Sequence, residues 1–72
     1  MLFINKWKVR VWKNDGTGHF YHDLTLEYTD KNEAVEVFEA EALSLGTGIT
    51  RLDRELGTGR AVGEQYRVTL SY

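Results

Sequence analysis

The chain has 72 residues, a formal net charge of −2 at pH 7 and no cysteine. This length fits one small domain, residues 1–72, with a marginal core, because a domain of this size buries only about 60% of its unfolded surface. The lack of cysteine excludes disulfides and thiolate metal sites, and the net charge gives no general reason to bind nucleic acid. No segment approaches the ~20 apolar residues of a membrane span, and no signal-peptide pattern follows Met1. We therefore expect a complete, soluble, cytoplasmic protein.

Two alternating segments near the N-terminus predict an antiparallel hairpin. Phe3 to Lys13 and His19 to Tyr28 each place apolar side chains at every second position, which is typical of strands with one buried face. A turn-forming segment, Asn14 to Gly18, lies between them. A one-residue slip would invert the faces, so we chose the register that matches charges and apolar groups. It pairs Asn14 with His19, Val9 with Leu24, Trp7 with Leu26, Arg10 with Asp23, Lys6 with Glu27, and Trp12 with Tyr21.

The middle of the chain predicts an amphipathic helix. Asp30 suits the N-cap, Glu33 stands three residues later, and Gly46 follows the last turn. Its core stripe consists of Ala34, Phe38, Ala42 and Leu45, with Val35 at the edge.

The C-terminal part predicts further strands. Tyr66 to Tyr72 alternates, whereas Ile49 to Leu56 fits either a short helix or a strand that pairs with the last one. We favour the strand, because three strands and one helix make a thin core. The prediction is an α+β fold in the order β-β-α-β-β, an antiparallel sheet with one helix packed on one face.

Three Gly-Thr-Gly triplets resemble phosphate-binding loops, which need their glycines just before a helix. None lies directly before the predicted helix. We therefore interpret them, in chain order, as the hairpin tip, the helix exit and part of the connection Gly57 to Gly63. His19 and His22 would point to opposite faces of a strand, so we predict no metal site. The serines have no evident base near them, and we predict neither a cofactor nor an enzyme.

The predicted helix has the strongest charge asymmetry of the chain. Between Asp30 and Glu41 there are five acidic residues and one lysine. Glu36 and Glu39 lie beyond the first turn, where the helix dipole no longer favours acids, and no basic residue follows either at i+3 or i+4. Leu43 projects from the same side. We predict that a partner protein with a basic groove binds this surface, through Glu33, Glu36, Glu39 and Leu43.

An alternative site is the exposed face of the hairpin, where Arg10, Trp12 and Tyr21 would bind nucleic acid through charge and stacking. Acidic residues are predicted opposite the basic ones and would neutralise much of that positive charge. Nucleic acid is therefore the second choice as a partner. We also expect a homodimer, because the last strand ends in Leu70-Ser71-Tyr72 with no charge to prevent pairing at an edge.

The C-terminal segment GRAVGEQYRVTLSY resembles the last hairpin of the dodecins, small flavin-storing oligomers. This resemblance implies a small oligomeric ligand carrier as a further alternative. Dodecins place one strand before the helix and a flavin-stacking tryptophan after it, whereas Trp7 and Trp12 both precede the helix here, so no flavin residue is carried over.

In size, acidity and β-β-α-β layout, the chain also resembles small phage-encoded inhibitors, including some anti-CRISPR proteins. That resemblance implies a stand-alone protein that covers a surface of a host machine, often with acidic side chains. The function we predict is accordingly a non-enzymatic inhibitor that blocks a host protein or protein complex.

Overall fold

A computed structural model describes residues 6–72 of the chain. The predicted α+β fold is confirmed, because one helix packs on one face of an antiparallel sheet. Phe3, the start of the first predicted strand, lies outside the described residues. The elements are β1 Trp7–Asn14, β2 Phe20–Tyr28, α1 Lys31–Ser44, β3 Gly48–Asp53, β4 Thr58–Val62 and β5 Tyr66–Ser71.

The sheet has five strands in the order β2-β1-β5-β4-β3. The ambiguous segment Ile49 to Leu56 is mostly strand β3, followed by a turn. The segment Gly57 to Gly63, predicted as a connection, contains the additional strand β4, which pairs with β3 on one side and β5 on the other. The prediction that β5 forms a free edge is wrong, because β5 also pairs with β1. The first and last described strands therefore form the centre of the sheet.

The hairpin register differs from the predicted one. Val9 lies opposite Leu26 rather than Leu24, and Lys8, not Lys6, lies opposite Glu27. Towards the tip the register shifts, and Asp23 is the extra residue of a bulge in β2. Between the bulge and the open end of the hairpin, the observed register differs from the predicted one by two residues, so each side chain there keeps its predicted face. Beyond the bulge Trp12 lies opposite His22, so the predicted Trp12–Tyr21 pair does not form.

Local side-chain hydrogen bonds explain the hairpin loop. The Asn14 carboxamide oxygen accepts from the Gly16 and Gly18 amides at 2.8 and 3.2 Å. Asp15 accepts from the hydroxyl and the backbone amide of Thr17, and these bonds lower the pKa of its carboxyl group. Such Asx turns favour this loop over the shorter connection that pairing Asn14 with His19 would need.

The helix begins and ends as its capping residues predict. The Asp30 carboxylate accepts from the Asn32 amide at 3.0 Å, which is an N-cap. At the other end Gly46 has a φ of 71°, and the amides of Gly46 and Thr47 donate to the carbonyls of Leu43 and Ala42. This is a Schellman motif, and its left-handed residue favours glycine.

The core lies between the helix and β1, β4 and β5. Of the predicted helical stripe, Ala34, Val35, Phe38 and Ala42 are buried, and Leu45 is partly buried. Phe38 is completely buried, which stabilises the fold by roughly 1.5–3 kcal/mol. The buried residues of the hydrophobic core are Val9, Val11, Ala34, Val35, Phe38, Ala42, Ala61, Val68 and Leu70. No helix within residues 6–72 is long and apolar enough to cross a membrane.

Candidate functional site

The face of the sheet away from the helix is open and rich in cations. Side chains of directly paired residues lie on the same face of a sheet, so the register shows which residues share this face. Five of them are lysine or arginine: Lys8, Arg10, Arg51, Arg60 and Arg67. We call this surface the basic sheet face. Its five cations lie on four strands, β1, β5, β4 and β3.

Among the directly paired residues of the described strands, the carboxylates on the basic sheet face are Glu27 and Asp53, and both have partners within the molecule. Glu27 forms an ion pair with Lys6 at 3.1 Å. One Asp53 oxygen accepts from the amides of Glu55 and Leu56 at 3.0 Å and so closes the turn after β3. Neither carboxylate makes an ion pair with any of the five cations of this face.

Arg10 was predicted to lie opposite Asp23, and this is wrong. The bulge takes Asp23 out of the pairing, and Arg10 lies between Thr25 on β2 and Thr69 on β5. Its Nη1 donates to the Ser71 hydroxyl at 2.9 Å. The residues directly opposite Arg10 and its hydrogen-bond partner are therefore neutral, and the predicted Arg10–Asp23 pair does not offset its charge.

An open groove of about 400 Å³ lies in the basic sheet face. It is lined by Trp12, Phe20, Arg60, Arg67 and Thr69. The guanidinium carbon of Arg67 lies 4.0 Å from the centroid of the Phe20 ring, a cation–π contact that holds the side chain in place. The Nε atom of Arg67 is buried and has no hydrogen-bond partner among the described residues.

The tryptophan of the groove is also held by an aromatic neighbour. The Trp12 ring meets the His22 ring edge to face at a centroid distance of 5.2 Å. Trp12 lies directly opposite Arg67 on β5, so an indole and a guanidinium adjoin in the groove. This combination suits a ligand that has both an anionic group and a flat aromatic surface.

Of the residues predicted for sheet-face binding, the structure brings two together. Arg10 and Trp12 lie on the basic sheet face, whereas Tyr21 pairs with Lys13 on the opposite side because of the bulge. Sequence reasoning missed Phe20, Arg60 and Arg67. The alternation of the last strand already separated Arg67 from Val68, but it could not show that β5 would lie beside β1.

The acidic helix residues lie on the other side of the molecule. Glu33 and Glu36 are exposed, and Leu43 is 83% exposed. Glu39, however, accepts two hydrogen bonds from the Arg54 guanidinium, at 2.8 and 3.0 Å. This carboxylate raises the pKa of Arg54. Glu39 thus has a basic partner after all, from the turn after β3 rather than from its own helix.

The part of the chain from residue 6 onward contains no group of three or more histidine, aspartate or glutamate side chains placed to hold a metal ion. Comparison with known proteins gave no matching family model, no matching curated protein and no matching solved structure. The two charged surfaces of the molecule are therefore its candidate binding sites.

Proposed function

We propose that this protein is a non-enzymatic binding module, acting in the cytoplasm, that binds nucleic acid on its basic sheet face. The observation that carries the proposal is the charge of that face: five cations share it with two carboxylates that have other partners. Phosphate contacts by lysine and arginine supply most of the affinity of sequence-independent nucleic-acid binding.

The dimensions of the basic sheet face support this ligand. Neighbouring strands lie about 4.8 Å apart, so the cations on four strands extend over about 14 Å. That distance corresponds to about four nucleotides at ~3.4 Å each. The net charge of −2 does not oppose binding here, because acidic helix residues such as Glu33 and Glu36 lie on the other side of the sheet. Separated charges of this kind orient the molecule towards a polyanion.

The test compares two double variants that remove the same charge from different faces. Lys8→Gln with Arg51→Gln removes two cations from the basic sheet face. Lys13→Gln with Arg54→Gln is the matched control, because Lys13 projects from the opposite face and Arg54 binds the helix. Affinity for fluorescent oligonucleotides would be measured by anisotropy over a range of salt concentrations.

We expect the wild type to bind, with an affinity that falls steeply as salt rises. The Lys8/Arg51 variant should lose about tenfold or more at low salt, and its salt slope should fall by about two, one for each lost phosphate contact. The control should stay within about twofold of the wild type. Undetectable binding at low salt, or equal losses in both variants, would overturn the proposal.

The inhibitor predicted from the acidic helix is a second candidate, favoured by the exposure of Leu43. A leucine that is 83% exposed beside exposed acids on one helix suits a partner protein with a basic rim and an apolar pocket. In this candidate the partner is a host protein, and Glu33, Glu36 and Leu43 make the contact. Glu39 contributes less, because Arg54 already binds it.

This second candidate has its own matched test. Glu33→Lys with Glu36→Lys reverses two exposed charges on the helix, and Glu55→Lys with Glu64→Lys makes the same change at exposed turn positions. A host protein that the wild type and the turn variant retain in a pull-down, but that the helix variant and Leu43→Asp lose, would support the helix as a binding surface. Equal retention by all variants would contradict it.

A further inference from the structure

We propose that the groove in the basic sheet face accepts one unpaired nucleotide, with its base against Trp12 and its phosphate on Arg60 and Arg67. The protein would then select single strands over duplexes. This inference rests on the proposed function and depends on different residues from those that test it.

Trp12 is placed to receive a base. Its contact with His22 is edge to face, so the indole orientation is fixed before a ligand arrives. Such a prepared platform avoids part of the entropy cost of ordering a side chain on binding. In a duplex both faces of each base are covered by neighbouring bases, and only an unpaired base can stack here without breaking that order.

Arg67 is placed to receive the phosphate next to that base. The guanidinium carbon lies 4.0 Å from the centroid of the Phe20 ring, and Arg67 lines the groove together with Trp12. An arginine fixed by a ring loses little freedom when it binds a planar or tetrahedral anion, and its donors form a rigid fork. The groove lining contains a second arginine, Arg60, and no carboxylate, so the local charge is positive.

The same lining indicates how selective the site is for sequence. Apart from the two arginines, the hydrogen-bonding side-chain groups among the described lining residues are the Trp12 ring nitrogen and the Thr69 hydroxyl. Discrimination between bases requires a matched set of donors and acceptors at the base edge. Stacking tolerates any base, so we expect the groove to bind single strands with little sequence preference.

The first experiment needs no variant and uses the wild-type protein. Binding of a short oligothymidine is compared with that of an abasic strand with the same number of phosphates, and with that of a hairpin duplex. We expect the oligothymidine to bind about 5- to 150-fold more tightly than the abasic strand, the range that corresponds to one stacked base. The duplex should bind about as weakly as the abasic strand.

The second experiment assigns that difference to the groove. Trp12→Leu keeps an apolar side chain and removes the ring, and it should lower the affinity for oligothymidine to about that for the abasic strand. Tyr21→Leu is the matched control, because Tyr21 is an exposed aromatic residue of the same hairpin on the other face. It should change neither affinity. Arg67→Lys keeps the charge but loses the fork, and it should weaken both single strands equally.

The outcomes separate this inference from the proposed function. If thymidine and abasic strands bind equally well, and the Lys8/Arg51 variant still weakens both, the basic sheet face binds nucleic acid but the groove takes no base. If no oligonucleotide binds at low salt, both proposals fail. A wild-type preference for oligothymidine that Trp12→Leu abolishes and Tyr21→Leu preserves supports the nucleotide site.

Discussion

One glycine decides how closely the helix approaches the sheet. A Cβ atom on Gly59 would lie 2.9 Å from Cε2 of Phe38, 3.0 Å from its Cζ and 3.2 Å from the Arg51 carbonyl oxygen. Phe38 is completely buried among the core side chains, so a shift of its ring would disturb its neighbours. Gly59 is therefore required for its lack of a side chain, and the large ring of Phe38 fills that volume.

We expect Gly59→Ala to lower the free energy of unfolding by about 1–3 kcal/mol, the usual cost of overpacking a core. Gly48→Ala is the matched control in the neighbouring strand, because the nearest atom there is 4.0 Å away. It should be neutral or slightly stabilising, since glycine is unfavourable in strands. The stability of both variants can be measured by urea unfolding, with tryptophan fluorescence as the signal. Equal unfolding midpoints for the two variants would contradict this explanation of Gly59.

At the scale of an element, the bulge in β2 determines which aromatic residues reach the groove. Asp23 is the extra residue, and it directs His22 to the basic sheet face and Tyr21 to the opposite one. The residues on either side of Asp23 already have the alternation of a regular strand. A chain without Asp23 could therefore form the same ladder without a bulge.

Deletion of Asp23 should accordingly leave a protein that folds and unfolds cooperatively, with Trp12 still opposite His22. Thr25, in contrast, is paired with Arg10. Its deletion shifts the register on one side of the deleted position, so the side chains there change to the opposite face of the sheet and apolar groups become exposed. We expect this second deletion to abolish the folded state. Circular dichroism and thermal unfolding distinguish the two variants, and similar damage from both would show that the bulge itself is needed.

Local sequence patterns are sufficient to predict the helix of this fold but not the order of the strands in its sheet. The helix could be predicted, because Asp30 and Gly46 mark its ends and its stripe repeats within a few residues. Strand order could not, since it depends on contacts such as that between Arg10 and Ser71, which are 61 positions apart. The groove combines residues of β1, β2, β4 and β5, so it could not be predicted without that order.

On the scale of the whole molecule, the two edge strands are protected against open-ended pairing. β2 has its bulge at Asp23, and β3 has one at Thr50. Bulges interrupt the row of free backbone groups that another strand would use. Apolar side chains remain exposed on both edge strands, however, with Tyr21 at 46% and Leu24 at 40% on β2 and Ile49 at 42% on β3. We therefore expect self-association to bury side chains of this kind rather than to extend the sheet.

We expect a dimer that buries Tyr21 and Leu24 and leaves the basic sheet face free. Leu24→Lys should convert it to a monomer in sedimentation velocity, because the new charge would be buried in the contact. Leu56→Lys, at a leucine that is 67% exposed in the turn after β3, should leave the dimer intact. A wild type that sediments as a monomer at high concentration contradicts the expected dimer.

The central position of β5 has a consequence for synthesis of the protein. The ribosome delivers the chain from its N-terminus, so β1 emerges before the other described strands. Its partner on one side is β5, which emerges after all of them. Until β5 emerges, the β1–β2 hairpin and the β3–β4 hairpin have no strand to join them. The sheet can close only after β5 has been synthesised, and such long-range pairing slows folding. We therefore expect a nascent chain arrested before Tyr66 to lack the continuous sheet on which the helix packs.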